Sequence, residues 1–370
     1  MTQTASAASR EGNDRQAWSR RDKASVAGMA GFVLFLNVLG WGVLILFVAP
    51  QHFTLGNQGV FGAGLGLTAF LLGVRHAVDA DHIAAIDNTA RKLVGENRPA
   101  LGVGFWFSLG HSSVVFGLSL LLALGITALA APVQDENSSL QQTLGLIGTI
   151  VAGVFLLLIG GMNLVAVFGI VKVFRGLRRG ELDEAELERH LQSRGLMARL
   201  LARVMRRVSR PWHLYPVGLL MGLGFDTATQ VALLVLAAGS ATFTLPWYAI
   251  LVLPVLFAAG MSLFDTADGV LMARAYQWAF LSPIRKIFYN LTITILSVLA
   301  ALVIGSIVLT QLLADNLAIT SGILGWVARI DLEYVGFIMV GLFVGTWLIA
   351  LAVWRLARVE QRWTTEPASE

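Results

Sequence analysis

Long apolar runs dominate this chain of 370 residues and restrict the folds that it can adopt. About eight of these runs reach the roughly 20 residues that an α-helix needs to cross a bilayer. Inside hydrocarbon the backbone polar groups must bond within the segment, so such runs form helices. We therefore predict an all-α polytopic membrane protein with spans at 27–49, 60–86, 101–131, 143–171, 214–239, 246–273, 287–313 and 333–354.

The composition supports this fold class and excludes several chemistries. Charged residues make up 14% of the chain and hydrophobic residues 56%, whereas a soluble domain carries about 25% charged residues. The chain contains no cysteine, which excludes disulfides, thiolate metal sites and cysteine nucleophiles. The net charge of +4 does not indicate a nucleic-acid partner, because the basic residues lie between the apolar runs.

The distribution of basic residues predicts the orientation of the chain in the membrane. Nearly all of the 27 Lys and Arg residues fall on one side if the spans alternate, the exceptions being Arg75 and Arg329. The positive-inside rule then places both termini in the cytoplasm. The predicted organisation is a tail at 1–26, a transport domain at 27–354 with a cytoplasmic loop at about 173–212, and a tail at 355–370. The helical rhythm of the loop favours surface helices, with membrane lipids as partners.

A cluster of ionisable residues interrupts the second apolar run. The segment Arg75-His76-Ala77-Val78-Asp79-Ala80-Asp81-His82 holds two imidazoles and two carboxylates. Each central Asp or Arg costs roughly 2.5–3.5 kcal/mol on membrane-insertion scales. Histidine nitrogens and carboxylate oxygens are ligands for divalent first-row metals. The cluster therefore indicates a metal-ion pathway, against the alternative of a buried network that only fixes helix packing.

Helical geometry predicts which of these side chains share a face. With about 100° per residue, an unbroken helix places His76, Asp79, His82 and Asp87 on one side. Asp81 then falls almost opposite, where it would bond a neighbouring helix or orient a ligand. This assignment depends on the helix continuing through the cluster.

Polar faces recur in the next four runs, which predicts one shared wet cavity. The echo between runs two and three and runs five and six also suggests an internal repeat, as in many transporters with duplicated halves. The carboxylates and the imidazole are candidate metal ligands, and the hydroxyls and amides are candidate supporting groups. These residues are Ser108, His111 and Ser112 in the third run, Asn163 in the fourth, Asp226, Thr229 and Gln230 in the fifth, and Asp265 and Asp268 in the sixth.

Four segments resemble the signatures of the bacterial and fungal nickel/cobalt transporter family. They are RHAVDADHIAAIDN at 75–88, FWFSLGHSSVV at 105–115, LGFDTATQ at 223–230 and LFAAGMSLFDTADG at 256–269. The resemblance covers about 30–310 and implies an eight-span permease for Ni²⁺, Co²⁺ or both. It further implies that His76, Asp81 and His82 are essential and that His111, Asp226, Asp265 and Asp268 are functional. The chain departs from the family at Gln230, where Glu is common, so metal selectivity, affinity or proton coupling is expected to differ.

The functional expectation is a secondary transporter of the cytoplasmic membrane that imports Ni²⁺ or Co²⁺ and holds no resident cofactor. No Walker-type Gly-x4-Gly-Lys-Ser/Thr occurs, so the chain itself hydrolyses no nucleotide, and no nucleotide-hydrolysing subunit is evident as a partner. One alternative is a metal exporter, but such proteins often carry a His-rich loop and the central loop here has only His190. A remote alternative is a membrane acyltransferase, since His76-x4-Asp81 matches a short His/Asp signature. A zinc hydrolase is disfavoured because His-Glu-x-x-His is missing.

Overall fold

The regular elements in the described part of the chain are helices. The computed structural model describes residues 18–53, 60–124, 138–178, 208–223, 245–279, 283–330, 332, 335–339, 341, 342 and 345. The helices are α1 (Arg20–Val43), α2 (Ala63–Ala77), α3 (Ala80–Gly95), α4 (Val103–Ala123), α5 (Ser139–Arg178), α6 (Leu214–Gly222), α7 (Trp247–Ala279), α8 (Pro283–Asn316) and α9 (Gly322–Ala328). Residues 335–339 are also helical. The prediction of an all-helical chain is therefore confirmed for the part that the structure describes.

Five helical segments of the described ranges are long and apolar enough to cross a membrane. They are Arg20–Gln51, Val103–Leu121, Gln142–Val165, Trp247–Gln277 and Ile295–Asn316. Large apolar side chains on their outer faces are exposed, for example Leu34, Phe35 and Leu46 on the first segment. Hydrocarbon is the solvent that such a surface fits. The fifth and eighth predicted spans lie largely outside the described residues, so the count of eight and the location of the termini stay predictions.

Helix α1 extends beyond the apolar run from which it was predicted. Helix α1 begins at Arg20 rather than at 27, because Ser19 and Asp22 form a capping box. The Ser19 Oγ accepts a hydrogen bond from the Asp22 amide at 3.0 Å, and the Asp22 carboxylate accepts one from the Ser19 amide at 3.2 Å. Polar residues that precede an apolar run can therefore start its helix earlier than the run itself predicts.

The second predicted span is broken in the middle. Helix α2 ends at Ala77 and α3 begins at Ala80, with Val78 at φ −92°, ψ 0° and Asp79 extended at φ −63°, ψ 146°. The prediction of one unbroken helix over 60–86 is therefore wrong. The extended conformation of Asp79 cannot belong to a helix, and neither Gly nor Pro marks the site in the sequence.

Helix α3 then continues into a region that the sequence had suggested was a connection. Arg91 and Lys92 were predicted to lie in the loop after the second span, but both lie in α3 and are buried. The Lys92 ammonium donates to the Val208 carbonyl at 2.7 Å and lies 3.2 Å from Glu96. A buried cation is tolerated when it is bonded in this way, because its stem lies along apolar surface while its head finds acceptors.

Two helix crossings share the same geometry. Helices α2 and α7 meet at Gly73 and Gly260, and helices α4 and α6 meet at Gly110 and Gly218. A Cβ on any of these four glycines would lie 2.0–2.3 Å from the carbonyl oxygen three residues before the partner glycine. Only glycine allows backbones to approach so closely. These oxygens belong to Phe257, Phe70, Tyr215 and Phe107.

The C-terminal ends of α2 and α6 also match. Helix α2 ends at Ala77, four residues after Gly73, and helix α6 ends at Gly222, four residues after Gly218. In each case the next amide bonds back to the carbonyls two and three residues earlier, which are Arg75 and His76 in the first case and Leu220 and Met221 in the second. The predicted internal repeat therefore has a structural basis in these two helix pairs.

The two copies run in opposite directions. Helix α4 is antiparallel to α7, because Gly104 near its start meets Asp265 whereas Val115 packs against Phe257. Helix α2 is parallel to α7 and α6 is parallel to α4, as the order of their glycine contacts shows. Helices α2 and α6 are therefore antiparallel, which is the arrangement of an inverted repeat.

Candidate metal-binding site

Three imidazoles converge at the break in the second span. His76 comes from the end of α2, His82 from the first turn of α3 and His111 from the middle of α4. One ring nitrogen of each lies within 4.8 Å of those of the other two. The Nε2 atoms of His76 and His111 are 2.8 Å apart, close to the separation of about 3 Å expected for adjacent ligands that each lie about 2.0–2.1 Å from a metal.

The break brings His76 and His82 into the same cavity. Residues Val78 and Asp79 turn the chain between them, so the two rings come to 4.5 Å between centroids. Gly222 of α6 contacts His111 closely: a Cβ there would lie 2.9 Å from the His111 carbonyl oxygen. The glycine crossing of α4 and α6 thus holds the third imidazole against the other two.

Two carboxylates stand behind the imidazoles. The Asp79 Oδ2 is 2.8 Å from the His76 Nδ1, and the Asp265 Oδ2 is 3.3 Å from the His82 Nδ1. A carboxylate on one ring nitrogen fixes the tautomer and directs the other nitrogen towards a metal. The Nε2 of His82 is buried and has no hydrogen-bond partner among the described residues. This nitrogen is therefore an available metal ligand.

Exposure differs across the site. The side chains of His76 and Asp79 are 16% and 33% exposed, whereas those of His82 and Asp265 are fully buried. The site thus has one accessible side, formed by the break, and one occluded side, formed by α7. An ion that arrives at Asp79 would reach His76 before it reaches Asp265.

Asp81 plays a different part from the one that an unbroken helix predicts. Its Oδ1 accepts a hydrogen bond from the backbone amide of His82 at 3.0 Å. It lies in the first turn of α3, where a carboxylate stabilises the helix N-terminus. Asp81 therefore anchors the turn that carries a candidate ligand, and it is not part of the three-residue cluster.

Asp87 lies away from the imidazoles, contrary to the face that was predicted for it. Its Oδ1 accepts a hydrogen bond from the Tyr276 hydroxyl at 2.5 Å, and Tyr276 also contacts Ser297 at 2.9 Å. The prediction failed because the angular count from His76 does not continue across the break. Asp87 belongs to a separate buried network between α3, α7 and α8.

The remaining polar candidates are distributed around the site. Ser108 donates to the Phe105 carbonyl and contacts Ser262, and Asn163 donates to the Asn88 side-chain oxygen at 2.8 Å. Asn163 therefore links α5 to α3 beside the Asp87 network. The Ser112 hydroxyl and one carboxylate oxygen of Asp268 are buried and have no hydrogen-bond partner within the described part of the chain. Asp226, Thr229 and Gln230 lie outside the described residues.

Three side chains that bond to the predicted candidates or to their partners were not singled out from the sequence, namely Ser262, Tyr276 and Ser297. Tyr276 is beyond the predicted end of the sixth span at 273, and Ser297 lies in the seventh, where no candidate residue was predicted. The spacing of three between Ser262 and Asp265 could have identified Ser262. The contacts of Tyr276 and Ser297 carry no such local signal.

Comparisons with known proteins identify the family of the chain. Residues 62–353 match the family model NicO, described as high-affinity nickel-transport protein. The chain is 54% identical over 339 residues to the nickel transporter NicT of Mycobacterium tuberculosis, which covers 92% of this chain and 91% of that protein. It is 42% identical over 330 residues to the high-affinity nickel-transport protein NixA of Helicobacter pylori, with 88% and 95% covered.

A relative named for cobalt is similar at a comparable level. The cobalt transport protein NhlF of Rhodococcus rhodochrous is 41% identical over 341 residues, with 90% of this chain and 94% of that protein covered. No solved structure matches the chain. Because the family model and the relatives each cover most of the chain, the chain belongs to the NicO family of high-affinity nickel-transport proteins.

Proposed function

We propose that this protein is a secondary transporter that imports Ni²⁺, Co²⁺ or both across the cytoplasmic membrane. The observation that carries the proposal is the cluster of His76, His82 and His111 at a break in a membrane helix. Imidazole is a suitable ligand for nickel and cobalt. A discontinuous helix near the middle of a span is also where many secondary transporters bind their substrate.

The site is suited to transient binding of a dication. Three imidazoles replace part of the water shell of the ion, and Asp79 and Asp265 behind them balance its charge. The exposed Asp79 forms the entry side, and the buried Asp265 lies further along the route. The ion then continues past Asp268, which lies one turn after Asp265 on α7 and has a buried carboxylate oxygen without a hydrogen-bond partner among the described residues.

The energy for import is proposed to come from the membrane potential. A cytoplasm-negative potential favours entry of a dication by about 4.6 kcal/mol per 100 mV, twice the value for one elementary charge. The proposal needs no resident cofactor and no nucleotide-hydrolysing partner. Relatives named as transporters support this assignment over an enzyme.

Uptake of radiolabelled Ni²⁺ into cells that express the chain tests the proposal. We expect wild type to accumulate the ion at sub-micromolar concentration and His76→Ala to lose most of the uptake at equal membrane abundance. His52→Ala is the matched control, because His52 is exposed at the end of a helical segment and outside the cluster. Competition by excess Co²⁺ measures selectivity.

Two outcomes would contradict import through this site. Reduced accumulation in cells that express the wild type would indicate export, which is the alternative direction for the same family. Equal loss in the His76 and His52 variants would show that the cluster has no special part in transport.

A further inference from the structure

The backbone of the eighth span contacts the break in the second span at Gly336. A Cβ on Gly336 would lie 1.8 Å from the Val78 carbonyl oxygen, 2.9 Å from the Val78 carbonyl carbon and 3.1 Å from the Ala80 amide nitrogen. The first two separations are shorter than any that real Cβ atoms adopt. The atoms in contact belong to backbone, so no side-chain rotation can relieve the overlap. Only glycine fits at position 336 with the break as it stands.

The contacted peptide units flank the residue that orients His76. Asp79 lies between Val78 and Ala80, and its Oδ2 is 2.8 Å from the His76 Nδ1. Asp79 is also the residue before the first turn of α3, and its carbonyl accepts the Ile83 amide at 3.1 Å. Its side chain makes no capping hydrogen bond and is used for the imidazole instead. The conformation of this one residue thus sets both the start of α3 and the Asp79–His76 contact.

Gly336 lies on the inner face of its helix. Gly336 and Met339, one turn apart, are buried, whereas Phe337 and Ile338 between them are exposed on the outer face. Met339 packs in the main apolar cluster with residues of α3, α4 and α8. The eighth span is therefore anchored in the core, which gives the Gly336 contact a rigid support.

We propose that Gly336 is a positioning residue for the metal site. The backbone of the eighth span holds Val78 and Ala80 so that Asp79 faces His76, and a side chain at 336 displaces Asp79 and weakens ion binding. The inference rests on the proposed function for the identity of the ion. Its test measures ion binding, which does not depend on the direction of transport. It assigns to the eighth span a role in the site, although none of the described residues of that span belongs to the histidine cluster.

The test compares Gly336→Ala with Gly341→Ala on the same span. Gly341 is the matched control, because no atom lies within 4 Å of the position of its Cβ. The affinity of the purified full-length protein for Ni²⁺ and the KM and maximal rate of Ni²⁺ uptake are measured at equal abundance. We expect Gly336→Ala to lower the affinity and raise KM at least tenfold, and Gly341→Ala to match wild type. Unchanged affinity and KM in Gly336→Ala would overturn the proposal.

Met339→Ala separates positioning from stability. This change opens a cavity on the same face without touching the break. We expect a lower melting temperature with unchanged Ni²⁺ affinity. The reason is that this variant loses packing in the core but leaves the contact of Gly336 with the break intact. If Met339→Ala and Gly336→Ala lower the affinity equally, the effect is general destabilisation and the proposal fails.

A softer variant serves if Gly336→Ala does not reach the membrane. Val335→Gly adds backbone freedom next to the contact without a steric clash, and Ile338→Gly adds the same freedom on the exposed face. We expect a several-fold rise in KM for Val335→Gly alone. Equal KM values in the two variants would overturn the proposal. A wild type that binds Ni²⁺ without importing it would contradict the proposed import while leaving these affinity ratios measurable.

Discussion

Asp265 is the residue that best illustrates how the site controls its ligands. It comes from the sixth predicted span, yet its Oδ2 bonds to His82 on the second. Its other carboxylate oxygen is buried and has no hydrogen-bond partner among the described residues. Gly104 permits the close approach of α4 to this point, since a Cβ there would overlap the Asp265 carbonyl. One residue thus connects α3, α4 and α7.

We expect Asp265→Asn to weaken Ni²⁺ binding by about 10–100-fold, the usual effect of losing the carboxylate behind a ligating histidine. The amide keeps the shape of the side chain but lacks the negative charge that holds the His82 proton. Binding by the purified protein measures the effect. Asp315→Asn, at an exposed position near the end of α8, is the control. Equal affinities for Asp265→Asn and wild type would show that the carboxylate does not support the ligand.

The sequence identified the side chains of the site better than their roles. His76, Asp79, His82, His111 and Asp265 could be found because ionisable groups are costly inside apolar runs. Their pairing could not be found, since the Asp79–His76 and Asp265–His82 contacts depend on the break and on the helix crossings. Asp87 could not be placed from the sequence. The sequence is the same whether the helix is broken or continuous, and the hydrogen-bond partner of Asp87, Tyr276, is 189 residues away.

The helix pairs depend on four glycines rather than on their apolar side chains. Gly73 and Gly260 set the α2–α7 crossing, and Gly110 and Gly218 set the α4–α6 crossing. These crossings determine where the ends of α2 and α6 lie, and the end of α2 carries His76. A change in one crossing therefore moves a ligand as well as a helix.

We expect Gly73→Ala and Gly218→Ala to destabilise the protein to similar extents, because each would force a Cβ to 2.1 Å from a carbonyl oxygen. Overpacking of this kind typically costs about 1–3 kcal/mol and sometimes more. The melting temperature of the purified protein measures it. Gly64→Ala in α2 and Gly117→Ala in α4 are controls, since neither position has an atom within 4 Å. A fall in melting temperature for the controls as well would point to helix propensity or surface effects instead.

Among the secondary-structure elements, the sequence predicted the helices but not the break in the second span. Apolar length locates a span, and the spans at 101–131, 143–171, 246–273 and 287–313 each contain a described helix. The break at Val78 and Asp79 has no local signal, because neither residue is a strong helix breaker. Tertiary contacts supply the cause, among them Gly336 against the Val78 carbonyl.

At the scale of the whole molecule, the described helices α2, α7, α4 and α6 form two inverted pairs with unequal side chains. Matching the glycine crossings aligns Asp81 with Asp226, Phe107 with Phe257 and Ser112 with Ser262 in the sequence. The same alignment pairs Met221 with His76 and Met261 with His111. The repeat was hard to identify from sequence because its imidazoles occur in one copy only, while the glycines that preserve the packing are common in all spans.

The proposed energy source gives a prediction for the intact protein. In liposomes with a potassium diffusion potential of about 100 mV, inside negative, we expect Ni²⁺ to accumulate, up to a ratio of about three decades for a dication moving alone. Dissipating the potential with valinomycin at equal potassium concentrations should abolish accumulation. Uptake that is insensitive to the potential but follows a pH gradient would instead require coupled proton exchange.

Helices α2 and α6 end in the same way, so the protein contains two copies of one local backbone structure. Val78 and Leu223 close their helices with the same pair of hydrogen bonds, but the first lies beside imidazoles and the second beside a thioether side chain. The imidazoles are thus an addition to a helix end that the fold forms twice, so the ligands of the first copy can be changed without changing the backbone arrangement that presents them.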